Sequence, residues 1–158
     1  MKRIIIVLSA ALAIMGCSKI EETYSLANGL ELKGYVTEAE WNSLSVPGTK
    51  WGWSSSVYYY PSGTNLWLRE RESGEGGMTA SYSFKEDGTV EVISYTDAKD
   101  PLDNGTRKSE QTWSFDAGSS VLTIGNKKHF KIVGAEENTI YFFEPNTKDK
   151  LYCLTRKK

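Results

Sequence analysis

Few residues in this 158-residue sequence can do catalytic or metal-binding chemistry, and their spacing assembles no reaction centre. His129 is the only histidine, so any Ser-His-Asp or Cys-His nucleophile would depend on it alone. It follows Lys127 and Lys128 in a turn-like stretch, where a solvated ring is the simpler reading. One histidine and two cysteines are too few to ligate a transition metal, so neither a metal nor another cofactor is expected. Glycoside hydrolysis needs two carboxyl groups either about 5 Å or about 6.5–9.5 Å apart. The acids here fall mostly in turns, and Glu70 and Glu72 read as the polar face of a strand end. G-x-S-x-G and the P-loop are both missing from the sequence, and the expectation is a protein that is not an enzyme.

What remains is binding chemistry. Trp67, Arg69 and Arg71 share one strand face, which could hold an anion but reads more simply as a solvent-facing stripe whose arginine stems cover apolar surface. Tyr58, Tyr59 and Tyr60 in succession must place aromatics on both faces of a strand. An exposed tyrosine there would suit a protein or a glycan, although packing at a strand end would look the same. A net charge of -1 gives no basic footprint, so nucleic acid is excluded as a partner.

The two cysteines lie in different settings. Cys17 ends a leader in which Lys2 and Arg3 precede a largely apolar run from Ile4 to Met15, too short to span a bilayer. Ile14-Met15-Gly16-Cys17 resembles the lipobox of bacterial lipoproteins. The resemblance implies that residues 1–16 are a signal peptide and that Cys17 is the lipid attachment site. It also implies a membrane partner through that anchor and a place in the cell envelope. Ser18 is not the aspartate associated with inner-membrane retention, which favours the outer membrane and leaves its leaflet open. Cys153, in the apolar run Leu151-Tyr152-Cys153-Leu154, would be a buried free thiol.

The elements that must position these residues are mostly strands. Residues 23–36 read as linker with a brief extended stretch, so residues 17–48 form a lipidated tether ending in a short helix. That helix opens on the capping box Thr37-Glu38-Ala39-Glu40, is stopped by Pro47-Gly48, and offers Trp41 and Leu44 to one end of a larger core. From Gly48 onward the pattern alternates. Runs at 51–60, 66–72, 79–84, 89–95, 111–115, 121–124, 129–134, 139–144 and 151–155 predict nine short strands separated by turns, with polar tips at 70–77 and 97–108. No helical stretch lies between them, which excludes βαβ topology. Tight successive turns predict an all-β, antiparallel, up-and-down meander of about eight strands that closes into a barrel, with a β-sandwich as the alternative.

Gly48-Thr49-Lys50-Trp51, Phe84-Lys-Glu-Asp-Gly-Thr-Val90, Trp113-Ser-Phe115, Leu122-Thr-Ile124 and Phe130-Lys-Ile132, in that order, resemble the small lipocalin-like lipoproteins of Gram-negative anaerobes. The resemblance covers about residues 47–156 and implies a lipocalin-like barrel domain at 49–158. It also implies that Trp51 packs against Arg156 near the end of the last strand, as at barrel closure. Strand phase directs Trp51, Tyr82, Phe84, Trp113, Phe115, Phe130 and Phe142 inward as candidate ligand-binding residues, although side chains this bulky leave a narrow pocket or none. Two readings follow. One is a membrane-anchored binding module for a small apolar or amphipathic ligand. The other is a surface interaction lipoprotein with a filled barrel, which engages an envelope protein or a glycan through loops and exposed aromatics.

Overall fold

The structure is a computed structural model and describes residues 22–54, 56–60, 65–71, 79–95 and 106–157. The proposed signal peptide, Cys17 and most of the two polar tips lie outside the described residues. Two short strands, β1 (Tyr24–Ser25) and β2 (Glu31–Leu32), precede the helix α1 (Glu38–Leu44). Ten strands follow: β3 (Lys50–Trp53), β4 (Ser56–Tyr59), β5 (Leu68–Arg71), β6 (Thr79–Phe84), β7 (Thr89–Tyr95), β8 (Thr106–Asp116), β9 (Val121–Ile124), β10 (Lys128–Glu136), β11 (Thr139–Phe143) and β12 (Lys150–Lys157).

Eight of these close into an antiparallel barrel. β3 pairs with β6, each strand from β6 to β12 pairs with the next, and β12 returns to β3. Closure rules out the two-sheet sandwich and leaves the barrel wall without an open edge. The turns are built as their residues require: between β6 and β7, Gly88 takes φ 78°, and the Asp87 carboxylate accepts from the Thr89 N–H at 2.9 Å.

The first long alternating run is interrupted. β3 and β4 both pair with β12, but residues 54–57 on their side oppose only 152–153 on the other, between Trp53↔Leu154 and Tyr58↔Leu151. Extra residues of this kind bend a strand away from its partner's line. β4 therefore leaves the wall and forms a separate hairpin with β5, while β6 takes the barrel position beside β3. The polar stretch 97–108 is likewise shorter than read from sequence, because β8 already begins at Thr106 and its register with β7 runs from Tyr95↔Thr106 to Thr89↔Thr112.

Side chains on the two faces of the wall enter two cores. Inside lie Trp51, Tyr82, Phe84, Val90, Val92, Leu122, Ile124, Phe130, Ile132, Ile140, Phe142 and Leu154, with Trp41 and Leu44 of α1. Outside, Val133, Tyr141 and Cys153 of β10, β11 and β12 pack with Leu26, Leu32, Tyr58, Trp67 and Leu151. The segment read as a linker is thus part of the fold. Leu26, Leu32 and Val36 are almost wholly buried, and Gly34 N–H donates to the Val133 carbonyl at 2.8 Å. The physical reason is an apolar outer strip: Val133 faces out by ordinary alternation after inward Ile132, and a bulge between Ile132 and Gly134 keeps Gly134 on the same outer face, opposite Tyr141. A Cβ on Gly134 would stand only 2.9 Å from Leu32, so the glycine lets the N-terminal segment close on the wall.

Candidate functional site

One end of the barrel is sealed. The Thr37 side chain accepts from the Glu40 N–H and the Glu40 carboxylate accepts from the Thr37 N–H at 2.8 Å, which fixes the start of α1. The helix then places the Trp41 ring over Phe115 in a stack with centroids 4.8 Å apart, edge-on to Phe84 at 5.5 Å and to Trp113 at 6.1 Å. The indole N–H groups of Trp41 and Trp113 are buried without an acceptor, so this plug is held by ring packing. Trp51 lies directly behind it, with Nε1 donating to the Leu44 carbonyl at 2.9 Å.

The other end is open. Trp53, at the end of β3, donates from Nε1 to the Tyr82 hydroxyl at 3.2 Å and packs against Phe142 and Tyr152 with centroids 5.1 and 5.3 Å away. Phe130 fills the space between, 4.9 Å from Phe142 and 6.1 Å from Tyr82. Above this aromatic floor is a cavity of about 350 Å³ whose rim carries Lys127, Lys128, His129 and Glu144. Lys128 Nζ stands 5.6 Å from the centre of the Tyr82 ring, within range of a cation–π contact. Burial pushes the Tyr82 phenol above its ordinary range, and it faces the cavity as a neutral hydroxyl. Apolar floor, polar tip and paired cations suit a small amphipathic molecule with an acidic or polar end.

The candidate residues therefore separate. Tyr82 and Phe130 line the cavity, and Phe142 supports them from below. Trp51, Phe84, Trp113 and Phe115 do not reach it, because α1 fills their end of the barrel. Trp51 and Arg156 are in contact, with the guanidinium carbon 5.2 Å from the ring centre. Trp53 was missed as a lining residue although it stands two positions from Trp51, in the same strand phase. Glu144 and Lys128 were missed because they stand at strand ends, where polar side chains carry no alternation to show which of them reach the cavity.

Of the other candidate groups, His129 stands at the rim of this cavity and the rest fall elsewhere. His129 is exposed, with Nδ1 3.1 Å from the Thr123 hydroxyl. Trp67 is buried in the outer core rather than in a solvent-facing stripe, while Arg69 is exposed. Cys153 is a buried free thiol whose pKa is pushed up to about 12 by burial. Among the described residues no three His, Cys, Asp or Glu side chains are grouped to hold a metal, and no helix is long and apolar enough to cross a membrane. A wider groove of about 790 Å³ lies between the N-terminal segment and the β8–β9 turn, lined by exposed and half-buried side chains that include Tyr24, Tyr35 and Lys131. Comparison with protein-family models and with curated proteins finds no match for this chain.

Proposed function

We propose that the protein is a membrane-anchored, lipocalin-like binding module of the cell envelope, without catalytic activity, that takes a small amphipathic ligand at the open end of its barrel. The observation that carries this reading is the asymmetry of the barrel: one end is plugged by Trp41, while the other keeps about 350 Å³ above Trp53, Tyr82 and Phe130. That volume lies near the lower end of ligand pockets, roughly 300–1,000 Å³, which restricts the ligand to a small molecule or to one end of a longer one. Lys127 and Lys128 favour an anionic group at its polar end. The lipobox-like Ile14-Met15-Gly16-Cys17 supports lipidation at Cys17 and outer-membrane placement.

The test is titration with anilinonaphthalene sulfonate, an aromatic anion small enough for the mouth, read by tryptophan fluorescence and by melting temperature. Saturable binding should raise the melting temperature, because the probe binds only the folded chain. The double variant K127E/K128E should weaken binding about tenfold or more, while its own melting temperature stays close to that of the parent. No saturable binding, or binding indifferent to both lysines, overturns the reading. Native mass spectrometry of protein taken from its own membrane would then identify the natural ligand. The filled interior favours a second reading, an interaction lipoprotein that works through its surface on an envelope protein or glycan. Under that reading no small molecule shifts the melting temperature.

A further inference from the structure

The β4–β5 hairpin, which leaves the barrel wall, has an apolar surface that the proposed binding site does not use. Four large apolar side chains among the described residues are more than two-fifths exposed, and Tyr60, Leu66 and Leu68 of this hairpin are three of them. Register explains why they are outside. Tyr58 and Trp67 face the wall and are buried, so the alternation of the strands turns Tyr59, Leu66 and Leu68 to the other side. Tyr60 packs against Trp67 with centroids 5.3 Å apart and stays 45% exposed at the hairpin's rim. Lys150, opposite Tyr59 on β12, holds Nζ 5.3 Å from the Tyr59 ring centre.

We propose that this hairpin face rests on the bilayer that holds the chain's own N-terminus. The inference depends on Cys17 being the lipid attachment site, as argued above. What selects a bilayer as the occupant is where the tether arrives. The Trp67 N–H donates to the Ser25 carbonyl and the Ala27 N–H donates to the Trp67 carbonyl, both at 2.9 Å, so the N-terminal segment is clamped to the turn end of this hairpin. The Tyr24 ring lies 6.1 Å from that of Trp67, and its hydroxyl donates to the Glu22 carboxylate at 2.7 Å. Only residues 18–21 separate Glu22 from Cys17, and a stretch of this length spans at most about 17 Å. A lipid on Cys17 therefore keeps Glu22 within about 17 Å of the headgroups, and Glu22 is tied through Tyr24 to the hairpin at Trp67. The composition fits the same place, since tyrosines at the interface, leucines below them and a lysine beside them are what anionic membranes retain. Three or four side chains would bind a membrane weakly on their own. Held next to it by acyl chains, they need only choose which side of the barrel faces down.

The test uses the acylated full chain in vesicles of phosphatidylethanolamine and phosphatidylglycerol containing a doxyl-labelled phospholipid. A nitrobenzoxadiazole maleimide is placed at Leu68→Cys or, as a control near the plugged end, at Glu86→Cys; buried Cys153 does not compete. The expected result is doxyl quenching at 68 several-fold stronger than at 86. Adding Leu66→Glu and Tyr60→Glu should abolish the difference while the protein still floats with the vesicles. Equal quenching at both positions, with acyl chains present in the intact mass and normal flotation, overturns the contact face and leaves the anchor standing. A blue shift at 68 that grows with protein concentration in detergent, without vesicles, assigns the face to a second copy and also overturns it. A wild-type chain that carries no acyl mass and does not float refutes the lipidation reading and the contact face with it.

Discussion

Ser120 shows how one side chain can join distant parts of this chain. It is the last residue of the β8–β9 turn and has φ 54°, a left-handed conformation that costs energy for any residue bearing a Cβ. Its hydroxyl accepts from the Val36 N–H at 2.8 Å and donates to the Val36 carbonyl at 3.0 Å, while its own carbonyl accepts from Ile132 N–H. All of this is buried. Ser120→Ala would leave both Val36 backbone groups without a partner and away from water, a loss of about 1–3 kcal/mol that a urea midpoint would register. Ser120→Gly should recover part of it, because glycine relieves the positive φ although it cannot restore the hydrogen bonds. If alanine and glycine leave the midpoint where it was, the N-terminal segment is not held in solution as it is here. The sequence shows a turn at 116–119, but nothing local marks the next serine as the partner of a residue 84 positions earlier.

The helix α1 separates two contributions that are usually blended, its cap and its packing. Thr37→Ala removes the cap and should cost about 1 kcal/mol. Trp41→Ala empties the plug beneath Phe84, Trp113 and Phe115 and should cost about 3–5 kcal/mol in thermal or urea unfolding. Near-equal effects would mean that the helix does not seal the barrel. The cap also has a pH signature. The Thr37 N–H, and then Lys33, hold the Glu40 carboxyl below its ordinary range. Its contribution is present above the unfolded carboxyl value near pH ~4.3 and fades as pH falls through the lowered folded one. Since Glu40 is largely solvated, the effect should be small, and it should vanish in Glu40→Gln. Elements of this kind are legible in the residues themselves: a capping box, a Pro-Gly stop, and alternation in β6, β7 and β9 each state a local rule that the fold keeps. The β3–β4 break and the outward Gly134 on which Leu32 closes follow from two bulges, and a bulge adds a residue without changing the hydrophobic pattern around it. The aromatic site was legible to the same extent. Strand phase identifies which rings point inward, and the capped helix announces a cover for one end, but neither shows that Trp53, Tyr82 and Phe130 are the rings left at the other.

At the scale of the whole molecule, a single barrel wall serves two cores. Inward side chains of β10, β11 and β12 meet the aromatic interior, and outward ones meet the N-terminal segment and the β4–β5 hairpin. Neither layer is complete alone. Without residues 24–34, Val133, Tyr141 and Cys153 would form an apolar strip in water, and the hairpin would lose the backbone pairing at Trp67. The two should therefore unfold together. Leu32 is the place to ask, since it is 3% exposed and packs directly over Gly134. Leu32→Ala should cost about 2–5 kcal/mol, a large share of the roughly 5–15 kcal/mol that holds a domain of this size. Two probes then report on the two layers, tryptophan fluorescence dominated by the barrel and maleimide reaction of Cys153 in the outer core. In the wild type, and at a lower urea concentration in Leu32→Ala, both should change at one midpoint, as a single cooperative transition requires. If Cys153 becomes reactive well before the tryptophans respond, the N-terminal segment peels away as a separate unit. The hairpin clamped to it would then leave the wall with it, and the tether could not fix which side of the barrel meets the membrane.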